Sequence, residues 1–520
     1  MRFEYTRQGL QGKEYVLERV LEIAPGLFSW ATLTLLVLLS FARPLIAAAV
    51  IIAFNLYWVL RLFYLNIFLV LSYFMLSAEE KTDWMRRIDE LDRGTEPASP
   101  VPDLLRGRLR RAVSAFKYLR QRQRLQKSAV PVPVGSDIMH AVIIPVLRES
   151  RAVIEPGIRA LINGSYPTRR MSVFIALEER ADRGTQEAVY ALQKEYGDRF
   201  LDFIVVVHPA GMPGEARVKG ANVTWAARRA ARLFEERGVA FENVIVSCFD
   251  SDTVVHTDYF ACLTYTFMVT PDRNRSSFQP IPVYHNNIWD APAFARIIDV
   301  GASFFQLVES TNPETLVTFS SHSMSFKALV DAGYWPVDMV SDDSAIFWKA
   351  FIAADGRHQV VPLYVTLSMD VAIASTTWYT VQNVYRQKRR WAWGVENFPI
   401  VTRAFLAKSR IPLLRRLALG IKLFEGSLNW TIWPFMLTVI GWLPVIAAGR
   451  SFEQTTMYYT VGRITATIFR LSVGALVVCM CLSLSLLPRP RHRLLRRLAH
   501  IFEWLLIPLA GIAFSGIPAL

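Results

Sequence analysis

The sequence predicts an α/β domain on a mostly parallel sheet, combined with α-helical transmembrane segments. Two patterns predict it. Between His140 and about Val365, apolar runs of strand length alternate with helical stretches, the arrangement of a doubly wound α/β unit. On both sides of that region lie long apolar runs that suit lipid. The composition agrees: the 520 residues are 52% hydrophobic yet 20% charged, so polar and apolar stretches must be segregated along the chain.

Residues 1–26 form a polar segment, too long and polar before the first apolar run to be a cleaved signal peptide and expected in the cytoplasm. Residues 27–76 hold two apolar runs that part at Arg43-Pro44. A span needs about 20 apolar residues, so these runs predict a hairpin of spans over about 27–42 and 45–65, the second continuing to the interface. Asn55 and Arg61 mark where lipid exposure becomes unfavourable. Residues 77–137 are polar and basic. Their stretch DLLRGRLRRAVSAFKYLRQRQRLQK reads as a helix on the membrane surface or as a solvated helix of the soluble domain.

Residues 138–400 carry the α/β domain. HAVIIPV, MSVFIAL, DFIVVVH and NVIVSCF have the near-continuous apolarity of strands buried on both faces. GTQEAVYALQKEYGDRF and ARVKGANVTWAARRAARLFEERG read as helices that end near glycine. Residues 401–420 suggest an amphipathic helix at the interface. Residues 421–520 predict three more spans, at about 421–448, 464–487 and 501–520, with the basic run Arg489–Arg497 between the last two.

Five spans put the N-terminus and the α/β domain in the cytoplasm and the C-terminus across the membrane. The expected protein is a multi-pass integral protein of a bacterial-type inner or plasma membrane. A formal charge of +14, from 58 Lys+Arg against 44 Asp+Glu, fits a basic surface beside anionic lipid. No nucleic-acid motif accompanies that charge. The 4 cysteines form neither a zinc spacing nor a disulfide framework.

Asp250-Ser251-Asp252 directly follows the apolar strand VIVSCF. Ligands of open α/β sheets sit outside the carboxyl ends of the strands. On extended chain, carboxylates at i and i+2 point to one side. Such a pair can hold Mg2+ or Mn2+, ions that take one or two carboxylates plus substrate phosphates and offset charge on a departing diphosphate. A solvated turn would carry the same three residues.

Asp342 and Asp343 stand in VSDDSAIF. Acids at such a place cap a helix or take the proton from an acceptor hydroxyl. Neighbouring side chains diverge, so one is the base: Asp343, with Asp342 in support. In QKRRW, Gln387, Arg390 and Trp391 share one helix face. They offer an amide, a guanidinium for diphosphate and a flat ring for an acceptor sugar. A juxtamembrane helix on lipid headgroups would fit as well.

In chain order, VIIPVLRES, IALEER, KGANV, FDSD, SSHS, SDDS and QKRRW resemble family 2 glycosyltransferases of the GT-A fold. The likeness is to the membrane-integrated cellulose, chitin and hyaluronan synthase type, and it covers about Ala141–Trp391. It implies a Rossmann-like GT-A domain. It also implies a nucleotide-sugar site bordered by the loop after Pro145, with Glu149, and by Glu178 and Glu179. Lys219 and Asn222 would line that site. Asp250 would bind nucleotide and, with Asp252, the metal; Asp343 would be the base; Gln387, Arg390 and Trp391 would complete the site. The implied donor is a nucleotide-diphosphate sugar, with a UDP-sugar favoured, and the acceptor a polysaccharide or a lipid-linked sugar.

Three places depart from the family pattern. Glu178 and Glu179 stand where an aspartate is usual, and Ser341-Asp342-Asp343 replaces Thr-Glu-Asp. Ser320-Ser321-His322-Ser323 replaces a loop with Gly-Thr that meets the acceptor. His322 and Ser323 are therefore acceptor candidates, although a histidine satisfied within the structure fits equally.

Neither G-x-x-x-x-G-K-[ST] nor G-x-G-x-x-G after the first strand occurs, which argues against an ATPase or a dinucleotide enzyme. The expected reaction is inverting glycosyl transfer. A processive synthase that exports its product and a non-processive transferase acting on a lipid acceptor both satisfy the motifs. A transporter or non-catalytic scaffold is disfavoured, because acids within the apolar runs are scarce: Glu425 and Glu503 lie near span starts.

Overall fold

The four apolar runs expected as strands become β1 (Met139–Val146), β2 (Met171–Glu178), β3 (Asp202–His208) and β4 (Val244–Cys248). The computed structural model describes residues 3–94, 105–127, 130–407, 410–447, 449–488 and 493–520. Four further strands are β5 (Val254–Val255), β6 (Ser276–Val283), β7 (His322–Ser325) and β8 (Gln359–Ser368). All eight make one sheet in the order β3-β2-β1-β4-β7-β6-β8-β5. Neighbours from β3 to β4 run parallel, as do β6 and β8. β7 is antiparallel to β4 and β6, and β5 to β8. The sheet is thus mixed and mostly parallel, as expected for a Rossmann-like GT-A domain.

The chain divides into two compact units. The first comprises Met1–Arg7, Leu71–Asn286 and Phe305–Asp370 and contains the sheet. Its core is dense where the helix Lys219–Glu236 lies on β1 and β2. Ala226, Ala227 and Ala230 are small enough to let that helix approach Phe174 and Ala176 closely. The basic helix forms over Leu105–Lys127. Lys117 pairs with Glu79 at 3.0 Å, and Tyr118 donates to Glu90 at 2.7 Å. The helix therefore packs on the sheet unit along one face, while Phe116 and Leu119 stay exposed on another.

The second unit comprises Gln8–Val70, Asn287–Phe304 and Val371–Leu520. Among the described residues, four helices are long and apolar enough to cross a membrane: Gly12–Ala42, Pro44–Glu79, Thr456–Leu486 and Leu495–Ala519. A pair bent by 46°, Leu413–Thr438 with Ile440–Ala447, makes a fifth if it counts as one span. The break at Arg43-Pro44 stands where expected.

Span limits differ from the expected ones. The first helix starts at Gly12, well before residue 27, because its polar start is stabilised from within: buried Glu18 accepts from the buried Arg403 guanidinium at 2.5 Å. The second runs unbroken to Glu79. Within this unit Arg61 pairs with Glu425 at 2.6 Å, so two charges in apolar helices satisfy each other.

The single amphipathic helix expected over 401–420 does not form. One helix ends at Leu406, and a new one begins at Leu413 after Pro412, whose ring and missing N–H favour a helix start over continuation. Of the expected basic run Arg489–Arg497, residues 489–492 lie outside those described.

Candidate active site

The chain order of the sheet reverses between β1 and β4, which opens a crevice at the strands' carboxyl ends. Asp250 stands at that end of β4. The Phe249 N–H still bonds the Ile143 carbonyl of β1 at 3.0 Å. The chain then turns, with the Thr253 N–H donating to the Asp250 carbonyl at 3.0 Å.

Asp250 to Asp252 is therefore a hydrogen-bonded turn, not the extended segment expected, and its two carboxylates meet different partners. Asp250 Oδ1 lies 2.7 Å from Lys219 Nζ, while Ser320 Oγ donates to Oδ2. Asp252 Oδ2 accepts the Asp370 N–H at 3.1 Å. Burial and the nearby Asp250 charge push the Asp252 carboxyl up to about 7.

Asp342 and Asp343 open the helix Asp342–Ala353 behind the N-cap Ser341, where the helix dipole favours negative charge. Lys219 Nζ is 3.0 and 3.2 Å from the two Asp343 oxygens and 4.0 Å from Asp342 Oδ2. One ammonium thus joins acids more than ninety residues apart in sequence. Burial alone would lower its pKa, but Asp250, Asp343 and Asp342 hold it well above the usual lysine value. Asp342 is buried, and its Oδ2 has no hydrogen-bond partner. Burial, then the Asp343 charge, push its carboxyl up to about 8.

Gly220 makes this cluster possible. A Cβ there would lie 2.2 Å from the Pro336 carbonyl oxygen and 3.2 Å from the Asp342 Cβ. Only glycine lets the start of the helix come so near.

Pro145 lies in β1. In the following loop the Glu149 carboxylate accepts the N–H groups of Leu147 and Arg148 at 2.7 and 2.9 Å. Glu178 is buried at the end of β2, 3.1 Å from Arg180 Nε and 3.7 Å from His208 Nδ1. Glu179 accepts the Ala210 N–H at 2.7 Å. Asn222 is buried and donates to the Ala176 carbonyl at 2.7 Å, which ties its helix to β2.

His322 and Ser323 lie in β7 rather than in the expected loop. Both are fully buried. His322 Nδ1 donates to the Phe319 carbonyl at 3.2 Å and is 3.9 Å from Asp343 Oδ1. The Ser323 hydroxyl bonds Ser247 at 2.6 Å and Tyr259 at 2.8 Å. Antiparallel pairing of β7 between β4 and β6 brings these short polar side chains inward.

In the second unit, Gln387, Arg390 and Trp391 lie on the helix Thr377–Ala392, as expected. Between them Lys388 is buried, 3.0 Å from the Asp299 carboxylate and 3.5 Å from the centroid of the Trp391 ring.

Two carboxylates at a strand end are a hard-oxygen donor set. Among the described residues, no group of three or more His, Cys, Asp or Glu is set to hold a metal ion. Asp250 and Asp252 are of the kind that could hold a divalent ion whose shell is filled by phosphate oxygens, and such an ion would relieve the charge crowding on Asp252. Sequence reasoning placed Ser320 and Ser321 in the acceptor loop, whereas they bond Asp250, and it missed Gly220 and the Asp370 N–H. Only the Lys-Gly pair at a helix start gave a local signal.

The sheet and its acidic edge define an α/β domain with a charged cluster at the strands' carboxyl ends. The profile of the family described as "Glycosyl transferase family group 2" matches residues 245–488. That stretch takes in Asp250, Asp252, Asp342, Asp343 and QKRRW. The chain is similar to a "Poly-beta-1,6-N-acetyl-D-glucosamine synthase" from Staphylococcus epidermidis, 22% identical over 284 residues. That match covers 53% of this chain and 59% of the relative, so the chain spans under two thirds of the curated protein it matches.

Among solved structures, a mannosyltransferase from Pyrobaculum calidifontis in complex with GDP-Man and Mn2+ superposes with a TM-score of 0.39 at 15% identity, over 76% of this chain and 98% of that one. An S. aureus TarS fragment in complex with UDP gives 0.34 at 10% identity, over 66% and 90%. Residues 245–488 are thus similar to a family 2 glycosyltransferase domain.

Proposed function

We propose that the chain transfers a sugar, with inversion, from a nucleotide-diphosphate sugar to a hydroxyl of a growing polysaccharide at the cytoplasmic membrane face. One observation carries this reading: Asp250, beyond β4, and Asp343, at a helix start, share the Lys219 ammonium. Donor-binding and proton-accepting groups are thereby brought within one side chain of each other. Asp250 and Asp252 would hold Mg2+ or Mn2+, which supplies charge neutralisation for the diphosphate. Asp343 takes the acceptor proton. Asp342, which is buried and whose carboxyl is pushed up by burial and then by the Asp343 charge, is assigned the supporting role. Arg390 is assigned to the diphosphate, Gln387 and Trp391 to the acceptor, on their place in QKRRW.

The similarity to a poly-N-acetylglucosamine synthase favours a polysaccharide acceptor and makes UDP-N-acetylglucosamine the first donor to try. Membranes containing the protein are incubated with a panel of labelled nucleotide sugars, and the product is sized. A polymer formed in the presence of Mg2+ or Mn2+ and lost in EDTA, in Asp250→Asn and in Asp252→Asn supports the reading. A single sugar added to lipid would replace the polysaccharide acceptor by a lipid one, and full activity in EDTA would remove the metal. Cysteine labelling in sealed vesicles tests sidedness: a site engineered into the sheet unit should be protected from outside reagent.

A further inference from the structure

Ser321 has φ +59° and is fully buried. That left-handed conformation is ordinary for glycine and uncommon for a residue with a Cβ. Such outliers persist where the surroundings over-determine them, and here the hydroxyl supplies the reason. Ser321 Oγ accepts the Asp250 N–H at 3.1 Å and bonds Thr253 Oγ1 at 2.8 Å. It thus grips both ends of the turn that carries Asp250 and Asp252. Its neighbour Ser320 reaches the same acid from the side-chain end and donates to Asp250 Oδ2.

The two bonds divide the work. With Oδ2 turned to Ser320, Oδ1 faces Lys219 at 2.7 Å. Antiparallel β7 follows directly and pairs with β4, so the loop is fixed to the strand that delivers Asp250. A glycine at 321 would relieve the backbone but leave the turn unheld.

We propose that Ser320 and Ser321 are positioning residues of the donor site, which hold the Asp250 carboxylate and its turn in the orientation that receives the nucleotide diphosphate. This rests on the assignment of Asp250 to the donor. Hydrogen bonds that fix a carboxylate are among the stronger ones in proteins, and a preset ligand loses less freedom on binding.

The test measures UDP binding to the full-length protein in detergent by calorimetry with Mn2+, alongside its thermal unfolding. Ser320→Ala and Ser321→Gly should each raise the Kd for UDP on the order of tenfold, with unfolding temperatures at or near that of the wild type. Ser321→Gly is expected to fold at least as well, since glycine adopts this φ freely. Ser320→Thr, which keeps the hydroxyl, should restore affinity. Unchanged UDP affinity in both variants overturns the proposal, and so does a loss that follows a fall in unfolding temperature and is not rescued by threonine. Failure of the wild type itself to bind UDP with Mn2+ removes the donor-site assignment, and the role of the two serines with it.

Discussion

Gly220 brings the start of its helix so close to Pro336 that a methyl group there would sit 2.2 Å from the Pro336 carbonyl oxygen. Lys219 is the preceding residue, and its ammonium is bonded to Asp250 and Asp343. The glycine therefore sets the distance between lysine and acids. Gly220→Ala must push the helix away from backbone that cannot yield cheaply. Transfer should fall by tenfold or more, an order-of-magnitude expectation for misplacement of a site on this scale, although alanine is the better helix former. Wild-type turnover by Gly220→Ala would show that the close approach is dispensable.

Asp343→Asn keeps the size of the side chain but cannot accept a proton. A general base contributes roughly 10²–10⁴-fold to rate, so transfer should drop within that range while UDP affinity stays near the wild-type value. Asp342→Asn replaces a buried carboxyl whose neutral form is favoured by burial and by the Asp343 charge and should be milder. Initial rates and UDP titrations on both variants decide the matter. A dead Asp342→Asn beside an active Asp343→Asn would reverse the two roles.

The ion pair of Lys388 and Asp299 is nearly inaccessible at both ends. Removing one partner strands the other charge, which typically costs about 3–5 kcal/mol. Lys388→Met alone should lower the thermal midpoint in detergent sharply. The double replacement Lys388→Met with Asp299→Leu should recover much of the loss, since well-packed apolar pairs commonly substitute for buried ion pairs. Equal midpoints for single and double variants would contradict this.

His140 and His358 are fully buried, each bonded to one hydroxyl, Thr264 at 2.8 Å and Ser277 at 2.9 Å. Burial lowers both from an ordinary 6.5 to about 3. The unfolded chain therefore binds protons that the folded one refuses between those values. Their contribution to stability is complete above about pH 6.5 and is lost as pH falls toward 3. Each adds about 1.4 kcal/mol of destabilisation per pH unit in that window. Unfolding of His140→Gln followed from pH 7 to pH 4 should show a shallower acid slope than the wild type. Parallel slopes would mean that His140 titrates alike in both states.

Legibility followed the range of the interactions. β1 to β4 were readable because strands buried on both faces leave unbroken apolar runs. β6 and β8 contain prolines, and β7 reads as a polar loop, so none of the three announces itself. Helix starts at Gly12 and Thr456 precede the apolar runs, because polar first turns are held by partners invisible to a hydropathy count; Arg403, for instance, reaches Glu18 from 385 residues away. The acids were legible as a set. The central place of Lys219 was not, since only the folded chain brings 219, 250 and 343 together. Ser320 and Ser321 reach Asp250 across 70 and 71 residues, and nothing local marks their partners.

The polar strand β7 also bears on how freely this sequence can drift. His322, Ser323 and Ser325 lie at the centre of the sheet without access to water, each fitted to its place and bonded to specified neighbours, Ser323 to two of them. An apolar replacement would orphan those neighbours, and a larger one would have no room. Variation should therefore accumulate at the rim, around Glu179 and Arg180, and leave these buried polar side chains almost untouched. Among descendants of this chain, the middle of the sheet should change more slowly than the polar rim at Glu179 and Arg180.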